Sequence, residues 1–227
     1  MPVRSLVFDF DGVIADSETL ANMVLADAVT ELGCETTFRD AVNRYMGKRW
    51  PEVVTLIESD IGQALPDDFS ATVKAATLRR FRTELQEVQG ARAFIQEFSW
   101  IPQCIASSSS LDRLQLCLDV LGLSSQFRDN VFSADMVERG KPHPDIFLLA
   151  AARMGFPPRD CIVIEDSLSG VRAGLAAGMT VVGLCAGSHL NPGHAQRLKE
   201  VGANYVAANW AEVKTLMLHL AGQIQKP

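Results

Sequence analysis

The sequence predicts an α/β fold: a mainly parallel sheet with helices on both faces, interrupted near its start by a helical insertion. Three observations carry that prediction. Short apolar runs at Leu6–Phe8, Gln103–Ala106, Cys161–Ile164 and Thr180–Leu184 alternate with segments of helical period. No convincing strand pattern occurs between residues 16 and 88. Polar residues stand just after the apolar runs, where parallel sheets bind ligands.

Taken in order, Leu6-Val-Phe reads as a buried strand, followed by Asp9, Asp11 and Gly12. Leu20, Met23, Val24, Ala28 and Leu32 then recur at helical spacing, with Asp16 or Ser17 as N-cap and Gly33 as the stop. Further helical pattern covers Phe38–Tyr45, Pro51–Ile61 and about Asp67–Val88, with a short loop at 47–50. A helix at Ala91–Phe98 leads into the strand at 103–106, which ends in four serines, Ser107 to Ser110. Leu111, Leu114, Leu118 and Leu121 mark the next helix, and Asn130–Ser133 a short strand. Gly140-Lys141-Pro142 opens another helix, since proline is tolerated in a first turn. The strand at 161–164 runs into Glu165-Asp166-Ser167, a short helix closes at Gly178, and the alternation repeats through Tyr205-Val-Ala to a C-terminal helix. Such alternation implies right-handed crossovers. Residues 1–15 and 89–227 are expected to form the α/β core, and 16–88 a separate helical domain.

At 48% hydrophobic and 21% charged residues, 227 residues can build a sizeable core. The net charge of −6, without basic runs, argues against nucleic-acid or anionic-membrane partners. No stretch reads as a membrane span, and Arg4 and Asp9 interrupt the N-terminal apolar run, unlike a signal peptide. The five cysteines lack metal-type spacing and read as reduced residues of a cytoplasmic protein.

The chemistry gathers at the strand ends. Asp9 and Asp11, one residue apart on extended chain, start on the same face, and like charges there call for a compensating cation. Hard oxygen ligands suit Mg²⁺. Gly12 lets the chain turn away sharply. Ser107, Lys141 and Glu165-Asp166 occupy equivalent locations after later elements. His189 and His194 match metal-ligand spacing only loosely and are not taken as ligands.

In these residues the chain resembles the haloacid dehalogenase (HAD) superfamily of phosphotransferases. Asp9-Phe-Asp11-Gly12-Val is similar to its nucleophile motif, Ser107 to its second motif, Lys141 in Gly-Lys-Pro-His-Pro-Asp to its third, and Glu165-Asp166-Ser-Leu-Ser-Gly170 to its fourth. The match spans essentially the whole chain in order, with the helical insertion where one cap type of that superfamily lies. The subgroup most resembled is the β-phosphoglucomutase-like phosphatases, which includes the 6-phosphogluconate phosphatases.

The resemblance implies a Rossmann-like core and a Mg²⁺-dependent phosphatase of small phosphate monoesters. Asp9 would attack phosphorus and form an aspartyl phosphate. Asp11 would protonate the leaving alcohol and later deprotonate water. Asp9, Asp11 through its backbone carbonyl, and Asp166 would hold Mg²⁺, with Glu165 a direct or water-mediated ligand. Lys141 would balance charge and Ser107 would hydrogen-bond a phosphoryl oxygen, with Ser108 and Ser109 offering further hydroxyls. Asp16, Ser17 and Glu18 would form the hinge into the cap. Lys48 and Arg49 lie in the loop that resembles the substrate-specificity loop, where they either meet the substrate or stay solvated; Arg49 is preferred for its bidentate guanidinium. The expected partner is a small phosphorylated substrate, with the protein a monomer or weak homodimer.

Three alternatives stand beside this reading. A dehalogenase would lack Asp11. A phosphomutase needs the same motifs, but the cap position of its histidine aligns with Ala21, which favours water as acceptor. A non-catalytic binding module would be expected to lose one of Asp9, Asp11, Lys141 or Asp166.

Overall fold

The computed structural model describes residues 3–46, 48 and 50–221. Residues 17–85 form one compact unit, and the residues up to 16 and from 86 onward form the other.

In the larger unit six strands form one parallel sheet in the order β3-β2-β1-β4-β5-β6. The central strand β1 (Ser5–Phe8) is buried on both faces. Its alternating side chains show why both faces need helices. Phe8 meets Phe94, Phe127 and Trp210, whereas Val7 joins a cluster with Phe147, Ala150, Val163 and Val171.

After β1 the chain builds the smaller unit from α1 (Ser17–Glu31), α2 (Phe38–Arg44), α3 (Trp50–Ile61) and α4 (Phe69–Glu84). Val24, Val29, Ala41, Tyr45, Ile57, Phe69 and Val73 make its apolar centre. Thr37 and Asp40 cap α2 reciprocally, each satisfying the other's backbone N–H.

The helical pattern extends to Val88, but α4 stops at Glu84. The reason is a competing use of the backbone. Asp16 N donates to Gln86 O at 3.0 Å and Val88 N to Ile14 O at 2.8 Å, so residues 14–16 and 86–88 run side by side as extended chain.

The larger unit then continues through α5 (Ala91–Glu97), β2 (Gln103–Ser107), α6 (Leu111–Val120), α7 (Ser124–Phe127) and β3 (Val131–Ser133). It returns to the sheet centre by way of α8 (Asp145–Met154) and β4 (Cys161–Glu165). Beyond follow α9 (Leu168–Ala176), β5 (Thr180–Leu184), α10 (His194–Glu200), β6 (Tyr205–Ala207) and α11 (Trp210–Ala221). The order reverses between β1 and β4, and in sheets of this kind the crevice beyond that reversal binds ligands.

All five cysteines are free. Burial pushes the Cys117 thiol up to about 12 and that of Cys161 to about 11, so neither is a ready nucleophile. Among the described residues no helix is long and apolar enough to cross a membrane.

Candidate active site

At the reversal point β1 and β4 deliver their carboxylates side by side. Asp9 N donates to Ile164 O at 2.9 Å, which extends the strand pairing by one residue and fixes where the Asp9 side chain starts. Asp9, Glu165 and Asp166 are buried, and one oxygen of each lies within 4.8 Å of the others. The Lys141 ammonium, its side chain only 3% exposed, bridges two of them, at 2.7 Å from Asp9 Oδ1 and 2.8 Å from Glu165 Oε1. It also sits over the Phe147 ring.

Local sequence explains the placement of Glu165. Ser167 N donates to Glu165 Oε2 at 2.5 Å, and Ser167 Oγ meanwhile caps α9 by accepting from Gly170 N at 3.0 Å. Gly170 itself is required, because a Cβ there would overlap the Glu165 carboxylate. Both oxygens of Glu165 are therefore engaged, one by Lys141 and one by the turn. Gly12, at φ +76°, turns the chain away, and a Cβ on it would overlap Asp166 Oδ2.

The electrostatics are those of a site short of positive charge. Burial raises the Asp9 carboxyl well above the ordinary range; Lys141 opposes this, and Glu165 and Asp166 add to it. Burial also works against the charge on Lys141, but attraction to Asp9 and Glu165 and the hydrogen bonds to both lift it above the usual lysine value. Three carboxylates against one ammonium leave two negative charges in excess when all are ionised, the amount a divalent cation cancels. The donor set is all carboxylate oxygen, which suits Mg²⁺. The residues fit such an ion.

Asp11 lies outside that cluster, with its carboxylate turned to α6. Ser109 Oγ donates to Asp11 Oδ2 at 2.6 Å, and the Arg113 guanidinium reaches Oδ1 at 2.5 Å. Ser107, at the end of β2, is 1% exposed, and its Oγ accepts from Ser109 N at 3.1 Å. Ser133 Oγ donates to Ser109 O at 2.8 Å, tying the serine run to β3. Ser108 is exposed, as is His143.

The structure thus brings together Asp9, Lys141, Glu165 and Asp166, with Asp11 and Ser107 on adjoining segments. Lys48 belongs to the helical unit, exposed just after α2; Arg49 and Gly47 lie outside the described residues. Arg113 escaped the motif reading, and His189 entered it only as a loose metal-spacing match. Arg113 carried one signal: a cation in the first turn of a helix runs against the dipole, a cost that a nearby anion offsets. His189 lies 3.3 Å from Asp166 Oδ2 through Nε2, so it touches the cluster without belonging to its ligand set.

The profile of the haloacid dehalogenase-like hydrolases matches residues 3–178. This chain belongs to that family. It is 28% identical over 191 residues to the 6-phosphogluconate phosphatase of Escherichia coli K12, covering 84% of this chain and 86% of that one. Against the fructose-1-phosphate phosphatase of the same organism it is 31% identical over 186 residues, 78% of this chain and 94% of the other. A HAD family hydrolase from Deinococcus radiodurans, solved with bound phosphate and sodium, superposes with a TM-score of 0.84 at 30% identity, covering 100% of this chain and 99% of that one.

Proposed function

We propose that this HAD-family hydrolase is a Mg²⁺-dependent phosphatase of small phosphate monoesters, those of sugars or sugar acids, working through an aspartyl phosphate on Asp9. The observation that carries the reading is the buried Asp9–Lys141–Glu165–Asp166 constellation at the reversal point of a parallel sheet. Relatives named as phosphatases of 6-phosphogluconate and fructose 1-phosphate support the substrate class.

Asp9 and Asp166, with the backbone carbonyl of Asp11, are the residues assigned to Mg²⁺. Glu165 is assigned chiefly to Lys141, since both its oxygens are already engaged. Bound there, the ion supplies the charge that lets an anionic phosphate approach an anionic nucleophile.

In the first half-reaction an Asp9 oxygen attacks phosphorus, the bond from phosphorus to the alcohol oxygen breaks, and Asp11, which enters this step protonated, gives that oxygen its proton. In the second, Asp11 takes a proton from water, the hydroxide oxygen bonds to phosphorus, and the bond to Asp9 breaks to release phosphate. Lys141 holds Asp9 in position and offsets phosphoryl charge, and the Ser107 hydroxyl donates to a phosphoryl oxygen. Residues 17–85 serve as the cap that selects the substrate, with Lys48 and Arg49 as its anion-reading cations.

The test is phosphate release from a panel of sugar, sugar-acid and nucleotide monophosphates, with Mg²⁺ and with EDTA. EDTA-sensitive release concentrated on sugar or sugar-acid phosphates is expected. The panel includes β-glucose 1-phosphate; its conversion to the 6-phosphate without phosphate release would replace water by a sugar acceptor. Silence across the panel would overturn the reading.

A further inference from the structure

The loop between β5 and α10 carries histidines that the reaction scheme leaves without a task. His189 is buried, its side chain 5% exposed, although histidine on a loop has easy access to water. Its Nε2 lies 3.3 Å from Asp166 Oδ2. His194, at the start of α10, places its own Nε2 2.5 Å from the Asp166 backbone carbonyl. Two side chains of one loop segment thus address a single residue, one at its carboxylate and one at its backbone.

The seat for His189 is built by small residues from two segments. A Cβ on Gly187 would stand 2.6 Å from His189 Cε1 and 2.7 Å from Nδ1, and a Cβ on Gly12 would stand 2.8 Å from Cε1. The imidazole therefore fills the space that both glycines leave. Ser188 N donates to Asp16 Oδ1 at 3.2 Å, which pins the loop to the far side of the turn after β1. The loop is anchored on the segment that carries the nucleophile and reaches across it to the carboxylate delivered by β4.

We infer that His189 is a positioning residue for Asp166, holding its carboxylate in the orientation that takes a divalent cation. The inference rests on the proposed Mg²⁺ site. A carboxylate on a short side chain rotates unless an outer partner fixes one oxygen; an imidazole N–H does so and leaves the other oxygen for the metal. In this arrangement Nε2 carries the proton and donates to Oδ2. His194 acts on the same residue from the backbone side, so its loss counts for less.

The experiment is Mg²⁺ titration of the substrate-free protein by calorimetry, with electron paramagnetic resonance of Mn²⁺ as a second readout. His189→Leu keeps an apolar body in the seat and removes the donor. It is expected to weaken binding on the order of 10- to 100-fold, while the melting temperature in EDTA changes little. His189→Gln, which returns an N–H at similar reach, is expected to recover most of the affinity. Gly187→Ala retains the imidazole and displaces it, and it should weaken binding in the same way, so the test survives if the leucine variant fails to fold. Unchanged affinity in both His189→Leu and Gly187→Ala would overturn the inference while leaving the Mg²⁺ reading intact. Equal loss in His189→Leu and His189→Gln, accompanied by lower melting of both in EDTA, would reduce His189 to a packing residue. A wild-type protein that takes up neither ion would instead overturn the metal site itself, and the inference with it.

Discussion

Charge in the strand-end site and charge in the helical unit obey different physics. Lys141 and its two carboxylate partners are withdrawn from water, where burying ions costs several kcal/mol each and an apolar replacement of the whole group would often serve stability better. In residues 17–85 the pairs Arg80–Glu84 and Arg44–Asp60 each keep at least one partner near solvent: Arg80 and Glu84 are both partly exposed, and Arg44 is half exposed although the Asp60 side chain it meets is only 11% exposed. Pairs of the second kind cost little and contribute little. Those of the first kind cost stability, as expected of groups that serve the chemistry proposed above. The difference also separates what substitution should do in the two regions.

The largest effect falls on Asp9. Asp9→Asn is expected to abolish turnover, because an amide is a far poorer nucleophile and a neutral metal ligand. Wild-type-like hydrolysis by the purified variant, with contamination excluded, would end the covalent mechanism. Lys141→Met comes next and reads out on stability as well. Removing the ammonium leaves Asp9 and Glu165 facing each other unpaired, a loss of about 3–5 kcal/mol by analogy with other broken buried pairs. Denaturant unfolding in EDTA measures it, and Mg²⁺ should return part of the loss. An unfolding midpoint equal to wild type would mean that the buried pair contributes nothing net.

The same contrast governs how much could be read from sequence. Apolar runs flanked by helical period gave the sheet and its parallel sense, since strands buried on both faces must be apolar throughout, as Ser5–Phe8 and Cys161–Glu165 largely are. The meeting of Asp9, Glu165 and Asp166 was legible because strand ends converge in any such sheet, whereas Lys141, in the turn before α8, was legible only through the family resemblance. The end of α4 was not legible: Leu85 to Val88 continue the helical pattern, and a long-range pairing with residues 14–16 decides the matter. Nor were the partners of the site legible. Arg113 stands 102 residues from Asp11 and His189 lies far along the chain from Asp166, and local period carries no information on such meetings. The glycines at 12, 170 and 187 carried that information indirectly, since at each of them a Cβ would overlap Asp166, Glu165 or His189.

Arg113 offers a sharper test of the strand-end region than its most buried members do. It holds one oxygen of Asp11 and Ser109 holds the other, so the group proposed to transfer the proton is positioned by its neighbours. Arg113→Met should let that carboxylate wander and slow turnover of a sugar phosphate on the order of 10²-fold, the usual cost of misplacing a reacting group. Measured as kcat/KM, which reports the first half-reaction alone, the loss should be markedly smaller with p-nitrophenyl phosphate, whose leaving group departs without a proton. An equal loss on both substrates would make Arg113 a general structural support.

Moving to the helical unit, the expected effects shrink and shift from kcat to KM. Arg49→Ala and Lys48→Ala remove charges that the proposed mechanism uses only to bind substrate. Each should raise KM about tenfold, the scale of one charge-assisted hydrogen bond, and leave kcat nearly unchanged. Unchanged kinetics on the best substrate would return both to the solvated surface and move substrate selection elsewhere in the unit.

The smallest effect tests whether the helical unit holds together without buried ion pairs. Tyr45 is 2% exposed and donates its hydroxyl to Asp60 Oδ2 at 2.9 Å. Burial first, then the hydrogen bond and charge of Asp60, push the Tyr45 phenol up to about 12. A raised folded value means the folded chain holds the proton more tightly than the unfolded one. The contribution is therefore complete below the ordinary tyrosine value near 10 and is lost as pH rises from there through about 12. Tyr45→Phe should cost about 1.5 kcal/mol at neutral pH, the low end for a hydrogen bond to a charged group, since Asp60 keeps Arg44 as a partner. Ultraviolet titration provides the independent check: the protein has two tyrosines, and the later-ionising step should vanish in the variant. If the early step vanished instead, the hydroxyl of Tyr45 would be open to water, and this unit would be held by its apolar residues alone.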